Sequence, residues 1–259
     1  MTKKFILPLL IAGLPFAVFA DKAHHHKAGS ADKSGFYAGL GLTYTKTPVT
    51  RFGVYASDLL GGVAGYDTVR LAGKSKIGGA FMAGYHYRPE SWGNYFLEGE
   101  FLARVTNNKL KNGKADVKSN TNPPNSYIFS LSIKQKETYG ALLRIGSYLT
   151  ECFGLYGSVG AVNTKFQTSV YGQGTIPADN IGSTKTTRVW GTRFGGGLIQ
   201  GLNDDGALSL KLDYGYEMYQ AYSTGPLLAY NDRVATNLSA SMSPNLASHV
   251  LTLSLNYKI

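Results

Sequence analysis

The chain has 259 residues, of which 16% are charged and 12% aromatic, and its formal net charge is +10. That length allows one large domain or two small ones. No segment reaches the roughly 18 consecutive apolar residues that a membrane-spanning helix needs, and the one cysteine, Cys152, excludes an internal disulfide.

Residues 1–20 have the features of a secretory signal peptide. Lys3 and Lys4 make the N-terminus positive, and residues 5–19 are apolar but interrupted by prolines. Ala20 is the small residue that precedes the predicted cleavage site. We predict cleavage after Ala20, which removes two lysines and lowers the net charge from +10 to +8. Residues 21–34 are polar and aperiodic and are predicted to form a flexible tail, so that residues 35–259 form the folded domain.

From residue 35 onward the sequence alternates with a period of two, which indicates strands with two different faces. In the first predicted strand, for example, Phe36, Leu40 and Leu42 share one face, and glycines and threonines share the other. The fifth strand is apolar on both faces, and we assign Leu155, Val159 and Ala161 to its outer face. The eight predicted strands cover residues 35–45, 75–88, 94–106, 136–149, 153–170, 188–200, 207–222 and 247–259.

Short and long connections alternate along the chain. Short turns occupy residues 89–93, 150–152 and 201–206, and long polar connections occupy residues 46–74, 107–135, 171–187 and 223–246. Transmembrane barrels have short periplasmic turns and long extracellular loops. The pattern therefore predicts an all-β, transmembrane, antiparallel up-and-down barrel of eight strands in the outer membrane of a Gram-negative bacterium, with both termini and the tail in the periplasm. Ten strands are the alternative, if the first or fourth long connection contains a hairpin. Residues 127–133 continue the parity of the fourth strand, which is therefore expected to project beyond the membrane.

The less apolar faces combine glycines with isolated charges of both signs. The interior of an eight-stranded barrel is just wide enough to be filled by side chains, and buried charges must be paired. We therefore predict a lumen charge network of Lys76, Glu98, Glu100, Arg104, Arg144, Arg193, Lys211, Asp213 and Glu217. Gly39, Gly41, Gly78, Gly84 and Gly215 would make room for larger neighbours. Glu98 and Glu100 could alternatively be a catalytic carboxylate pair, but the nearby arginines favour a structural role.

Aromatic residues on the apolar faces concentrate near the two ends of the predicted strands. Such side chains prefer the membrane–water interface. The periplasmic girdle is predicted to contain Phe36, Tyr85, Tyr87, Tyr95 and Tyr257. The extracellular girdle is predicted to contain Tyr44, Tyr139, Trp190, Tyr214 and Tyr216.

The remaining reactive residue types form no evident site. His86 is predicted to point inward and His249 outward, and neither has a hydroxyl nucleophile beside it on the same face of its strand. The consecutive histidines 24–26 lie in the tail and make a poor preorganised metal site. We expect no catalytic residues, no metal and no cofactor. The second long connection carries Lys109, Lys111, Lys114 and Lys118, a basic loop that either binds anionic sugars or lipopolysaccharide or is simply solvated.

The opening FYAGLGLTYT, the closing LTLSLNYKI and the signal peptide resemble the small eight-stranded outer-membrane barrels of the outer membrane protein A transmembrane type and the related bacterial surface antigens. The resemblance implies recognition of the last strand by the barrel-assembly machinery. Members usually end in Phe, whereas this chain ends in Ile259, and no peptidoglycan-binding domain follows the barrel.

These features favour a non-enzymatic outer-membrane barrel whose loops contact lipopolysaccharide, a host surface or another extracellular ligand, as an adhesin or surface antigen does. Nucleic acid is not an expected partner. The alternatives are a narrow, porin-like pore for small solutes and, less favoured, a lipid-modifying outer-membrane enzyme.

Overall fold

A computed structural model describes residues 34–48, 50–58, 64–71, 73–110, 113–118, 126–173, 180–203, 206–231, 234–242 and 246–259. The predicted signal peptide, and the predicted tail except for its last residue, lie outside these ranges. The described residues contain a short 3-10 helix, Glu90–Trp92, and thirteen strands: β1 (Gly35–Lys46), β2 (Thr50–Asp58), β3 (Ala64–Leu71), β4 (Ser75–Tyr87), β5 (Tyr95–Lys109), β6 (Gly113–Lys118), β7 (Ser126–Tyr148), β8 (Phe153–Gln173), β9 (Asn180–Gly201), β10 (Leu208–Tyr219), β11 (Ser223–Asn231), β12 (Val234–Met242) and β13 (Ala247–Lys258).

Eight of these strands close into a barrel. Their order is β5-β4-β1-β13-β10-β9-β8-β7, and pairing of β5 with β7 completes the circle. All neighbours are antiparallel, including the first and last strands, β1 and β13. The predicted eight-stranded, all-β, up-and-down barrel is confirmed.

The first and fourth long connections both contain a hairpin, β2–β3 and β11–β12 respectively. The two hairpins pair with each other through β12 and β2 and form a separate four-stranded sheet of order β11-β12-β2-β3, which we call the loop sheet. The ten-stranded alternative is therefore wrong, because these hairpins add no strand to the barrel. The loop sheet lies beside the barrel's extensions, with β3 next to β6 and β11 next to β9.

One end of the barrel, the turn end, has the three short connections and both Gly35 and Lys258. Two of its turns contain a glycine in the left-handed region, Gly93 with φ 60° and Gly206 with φ 70°, a conformation that is costly for other residues. The opposite end, the loop end, has the long connections and the loop sheet. The predicted alternation of connections thus places all long connections at one end.

The outside of the barrel is apolar and the inside is polar. Leu40, Leu42 and Ile77 are between 65% and 69% exposed, whereas the inward side chains of the same sheet are buried. On β8 the predicted face is correct: Leu155, Val159 and Ala161 point outward and Tyr156, Val162 and Phe166 are buried. A broad apolar band around a closed barrel would be unfavourable in water, so this surface is the one that contacts lipid. None of the helices in the described part of the chain is long and apolar enough to cross a membrane.

Strand β7 begins ten residues earlier than predicted, and its register shifts between Gln135 and Thr138. This bulge reverses the parity of the strand, because it adds a residue to one side of the ladder. Leu131 and Ile133 therefore point inward and are buried, although they were predicted to share the outward face of Tyr139. The prediction of continuous parity through residues 127–133 was wrong for this reason.

Candidate functional site: the lumen charge cluster

Eight ionisable side chains fill the middle of the barrel. They come from β5, β7, β9 and β10, and on each strand they occupy positions of one parity, which places them on the inward face. All are at most 5% exposed. We call this set the lumen charge cluster: Glu98, Glu100, Arg104, Arg144, Arg193, Lys211, Asp213 and Glu217. It contains four cations and four anions, so its formal charge is zero.

The half of the cluster nearer the turn end is organised around Glu98. Its carboxylate accepts hydrogen bonds from Lys211 Nζ at 2.7 Å and from Arg144 Nη1 at 2.7 Å. Arg144 also donates through Nη2 to Glu100 at 2.7 Å. The guanidinium of Arg144 therefore bridges the two carboxylates, and its positive charge reduces the repulsion between them.

The half nearer the loop end is organised around Glu217, which is fully buried. Arg104 donates to both of its oxygens, at 2.9 and 2.7 Å, and Arg193 donates at 2.9 Å. Arg193 also pairs with Asp213, which lies 3.5 Å from Arg144 Nη2. Asp213 thus joins the two halves into one continuous chain of ion pairs across the lumen.

Three tyrosines complete the cluster and were not singled out from the sequence. Tyr37 donates to Glu98 or Glu100, at 2.6 and 2.8 Å, and Tyr156 donates to Asp213 at 3.1 Å. Tyr219 donates to Glu217 at 2.5 Å. All three occupy inward positions of the alternation, so strand parity was the signal that could have found them.

Lys76 does not belong to the cluster, so its predicted place in the lumen charge network is wrong. It has the inward parity of β4, but it is exposed, and among the described residues no ion pair joins it to an acidic group. The reason is the strand pairing: β4 is paired with β5 only from Gly79 onward. Lys76 therefore lies on a part of β4 that has lost one neighbour and is open to solvent.

Two of the five predicted glycines, Gly215 and Gly84, lie where a charged or an aromatic side chain needs space. A Cβ at Gly215 would lie 2.5 Å from Arg193 Cζ, and one at Gly84 would lie 2.7 Å from the Tyr37 hydroxyl. Gly39, Gly41 and Gly78 are also closed to a side chain, since a Cβ at each would come within 2.7 Å of a neighbouring atom.

Among the described residues, the charge cluster and its aromatic neighbours fill the middle of the lumen. A cavity of about 10 Å³ remains beside Arg144, Tyr156 and Asp213, which is about the space for one water molecule. Above the cluster, toward the loop end, the interior is mixed: Leu131, Ile133 and Phe166 are buried together with polar side chains that hydrogen-bond to one another, among them Thr47, Asn108, Gln135 and Ser248. The described lumen is therefore filled first by paired charges and then by a layer of buried polar and apolar side chains.

The carboxylates of the cluster are poorly placed to act as a catalytic pair. Glu98 and Glu100 share Arg144 and Tyr37, and both are buried. His86 lies 3.3 Å from Glu98 at the turn end, and His249 is bonded to the Tyr214 hydroxyl at 2.7 Å on the outer face. Among the described residues no three His, Cys, Asp or Glu side chains are grouped as metal ligands would be.

The predicted aromatic girdles lie on the outer face of the barrel. All ten side chains are at least partly exposed, and Phe36 packs edge-on against Tyr85 with ring centroids 4.8 Å apart. Phe36 and Tyr44 are eight residues apart on β1, about 26 Å along the strand at roughly 3.3 Å per residue. A strand tilt of about 40° reduces this to a height of about 20 Å, so both rings lie near the edges of an apolar band of about 25 Å.

The basic loop is not an irregular loop where it is described. Lys109 is exposed at the end of β5, and Lys114 and Lys118 belong to β6, which pairs with β7. Lys111 and the side chains of Lys114 and Lys118 lie outside the described part of the chain.

The closed antiparallel barrel, its apolar exterior and its charge-filled interior define a membrane-spanning β-barrel. Known proteins of similar shape were found only among solved structures, since no protein family and no curated protein matches the sequence. They include the outer membrane protein OprG from Pseudomonas aeruginosa (13% identity, 89% of this chain, 99% of OprG, TM-score 0.48). The outer membrane protease OmpT from Escherichia coli (10%, 92%, 100%, 0.43) and the attachment invasion locus protein Ail of Yersinia pestis (11%, 87%, 99%, 0.39) are further examples. These likenesses are distant, and the assignment to the class rests on the geometry of the barrel itself.

Proposed function

We propose that the chain is a non-enzymatic barrel of the Gram-negative outer membrane, which holds the loop sheet and the extensions of β7, β8 and β9 outside the cell as a surface for contact with other molecules. The observation that carries the proposal is the closed, charge-balanced lumen. A barrel that conducts solutes needs a continuous aqueous path, whereas here every cation of the cluster is paired, and polar and apolar side chains are buried against one another above the cluster.

The proposed orientation places the turn end in the periplasm. Short turns at one end and an elaborate second layer at the other are typical of barrels with that orientation. The chain offers its own reporter, because its one cysteine, Cys152, lies in a short connection at the turn end.

Labelling of intact cells tests location and orientation together. A membrane-impermeant maleimide should fail to label Cys152 in intact cells and should label it after the outer membrane is permeabilised. A Cys152→Ser/Lys185→Cys variant moves the thiol to an exposed position at the loop end and should be labelled in intact cells. Labelling of Cys152 in intact cells together with protection of the thiol at position 185 would reverse the orientation.

Measurements of conductance distinguish a closed surface barrel from a narrow pore for small solutes. In planar bilayers and in liposome-swelling assays, the folded chain should show no reproducible openings. A gel shift on boiling, measured on the same liposomes, verifies that the barrel is inserted. Stable unitary openings in inserted protein would favour the narrow pore instead. The lipid-modifying alternative predicts a changed mass of lipid A in cells that express the chain, and we expect no change.

A further inference from the structure

The outer face of β7, β8 and β9 changes from apolar to polar along one row of the sheet. Tyr139 pairs with Asn163, and Asn163 pairs with Trp190, so these three outward side chains lie side by side. The outward rows on the turn-end side contain Leu143, Val159 and Phe194. The row of Tyr139 and Trp190 therefore marks the edge of the apolar band.

Two cations lie directly beyond this edge. Lys165 pairs with Arg188 in the next row toward the loop end. Arg188 is thirteen residues from Gly201 at the turn end of β9, about 43 Å along the strand at roughly 3.3 Å per residue. A strand tilt of about 40° reduces this to a height of about 33 Å, just beyond an apolar band of about 25 Å. Both side chains are thus at the height of lipid headgroups.

Among the described residues, these cations are only weakly neutralised, by a single acid. Both approach the carboxylate of Glu137, which lies in the bulge of β7, at 3.6 Å from Lys165 Nζ and 3.4 Å from Arg188 Nη2. One acid against two bases leaves a local charge of +1. The side chains of Lys165 and Arg188 are 31% and 46% exposed, and ion pairs of this length and exposure contribute little to stability.

The geometry of Arg188 suits a tetrahedral oxyanion. Its guanidinium lies 5.2 Å above the Tyr139 ring and donates to Asn163 Oδ1 at 3.3 Å, which fixes its plane against the barrel wall. The guanidinium has five N–H donors, so several remain for a phosphate, which its planar fork matches well. Trp190, 58% exposed and on the same face two residues away, adds an aromatic ring at the level of the interface.

We propose that Lys165, Arg188 and Trp190 form a site on the outer wall of the barrel that binds the phosphate group of an anionic membrane lipid. This inference rests on the proposed placement in the outer membrane and gives that placement a specific lipid partner. Glu137 acts as an internal competitor: it occupies the two cations when no lipid phosphate is present and must release them when one binds.

The position of Trp190 makes the site measurable. The chain has two tryptophans, and Trp92 is at the turn end, so a Trp92→Phe background leaves Trp190 as the only reporter. The full chain is folded in neutral detergent and titrated with dansyl-labelled lipid A that carries both phosphates. Energy transfer from Trp190 then gives the half-saturating concentration, and lipid A without phosphates is the comparison.

Three variants give distinguishable results. Arg188→Gln/Lys165→Gln should raise the half-saturating concentration about tenfold, since charge-assisted hydrogen bonds to phosphate are lost. Glu137→Gln should lower it about twofold to threefold, because the competing exposed ion pairs are weak. The control Lys74→Gln/Lys76→Gln removes two exposed charges elsewhere at the loop end and should leave the half-saturating concentration nearly unchanged.

Equal weakening by the control variant would overturn the site in favour of general attraction between charges, and so would equal binding of the dephosphorylated lipid. Displacement of the labelled lipid by an equal concentration of inorganic phosphate would show a site for free anions and overturn the lipid assignment. The gel shift on boiling is measured for every sample. Its presence together with failed lipid binding refutes only this inference, whereas its absence refutes the membrane barrel.

Discussion

Removing the negative charge of Glu217 should strongly destabilise the barrel. Glu217 accepts hydrogen bonds from two arginines and from Tyr219, and its side chain is completely buried. In Glu217→Gln, Arg193 keeps Asp213, but Arg104 keeps only neutral acceptors, the Thr138 hydroxyl at 3.2 Å and the amide oxygen of the substituted side chain. One guanidinium is then left buried without a counter-charge.

The expected cost follows from this loss. Breaking a buried ion pair by removing one partner costs about 3–5 kcal/mol, so the free energy of unfolding should fall by that amount. Replacing both partners, in Glu217→Met/Arg104→Met, should cost clearly less than the sum of the two single changes, because no unpaired charge remains. The matched control is Glu137→Gln, which removes a carboxylate that also contacts two cations but is 33% exposed, and should cost about 0–1 kcal/mol.

The assay is urea unfolding and refolding of the barrel in lipid vesicles, followed by the gel shift and by tryptophan fluorescence. Comparable losses for Glu217→Gln and Glu137→Gln would refute the reasoning, since burial would then make no difference to the value of a carboxylate. Additive effects in the double variant would likewise show that Arg104 and Glu217 do not act as a pair.

Three further substitutions test the packing, the hydroxyl contacts and the lipid face. Gly84→Ala should reduce the fraction of chain that folds, at a cost of about 1–3 kcal/mol, because its Cβ would lie 2.3 Å from a backbone oxygen; Gly79→Ala, which has open space, should fold normally by the gel-shift assay. Tyr37→Phe should lower the unfolding free energy by about 1–3 kcal/mol, since two buried carboxylates lose a donor; an unchanged urea midpoint would contradict this role. Leu40→Arg, at an outward position in the apolar band, should cost about 2–4 kcal/mol in vesicles, and a neutral result there would mean that this surface does not face lipid.

The barrel could be predicted from the sequence because the alternation of apolar and polar residues recurs in every strand. On β10 the inward residues Lys211, Asp213 and Glu217 alternate with apolar outward ones, and a period of two has only one interpretation when one face meets lipid. Eight of the nine residues predicted for the lumen come together for the same reason. Their partners could not be predicted, since which cation meets which carboxylate depends on the stagger of strands that are distant in sequence.

The errors have local causes that alternation does not encode. The bulge after Gln135 inserts a residue that looks like any other in a run of polar side chains, yet it turns Leu131 and Ile133 inward. Lys76 has the right parity, but β5 no longer pairs with β4 at that position. The first and fourth connections contain turn residues, Gly61-Gly62 and Asn231-Asp232, but such residues do not indicate whether a hairpin joins the barrel or a second sheet.

The loop sheet also determines what kind of surface the chain can offer. Its central pairing joins β2 to β12, where Asp58 is opposite Thr236, and the two hairpins reach each other because β1 and β13 are neighbours in the closed barrel. A synthetic peptide with the sequence of one hairpin would lack the strands of the other hairpin, and with them the pairing between β2 and β12. An antibody or receptor that reads this sheet therefore recognises an epitope made from both ends of the chain, which exists only in the assembled protein.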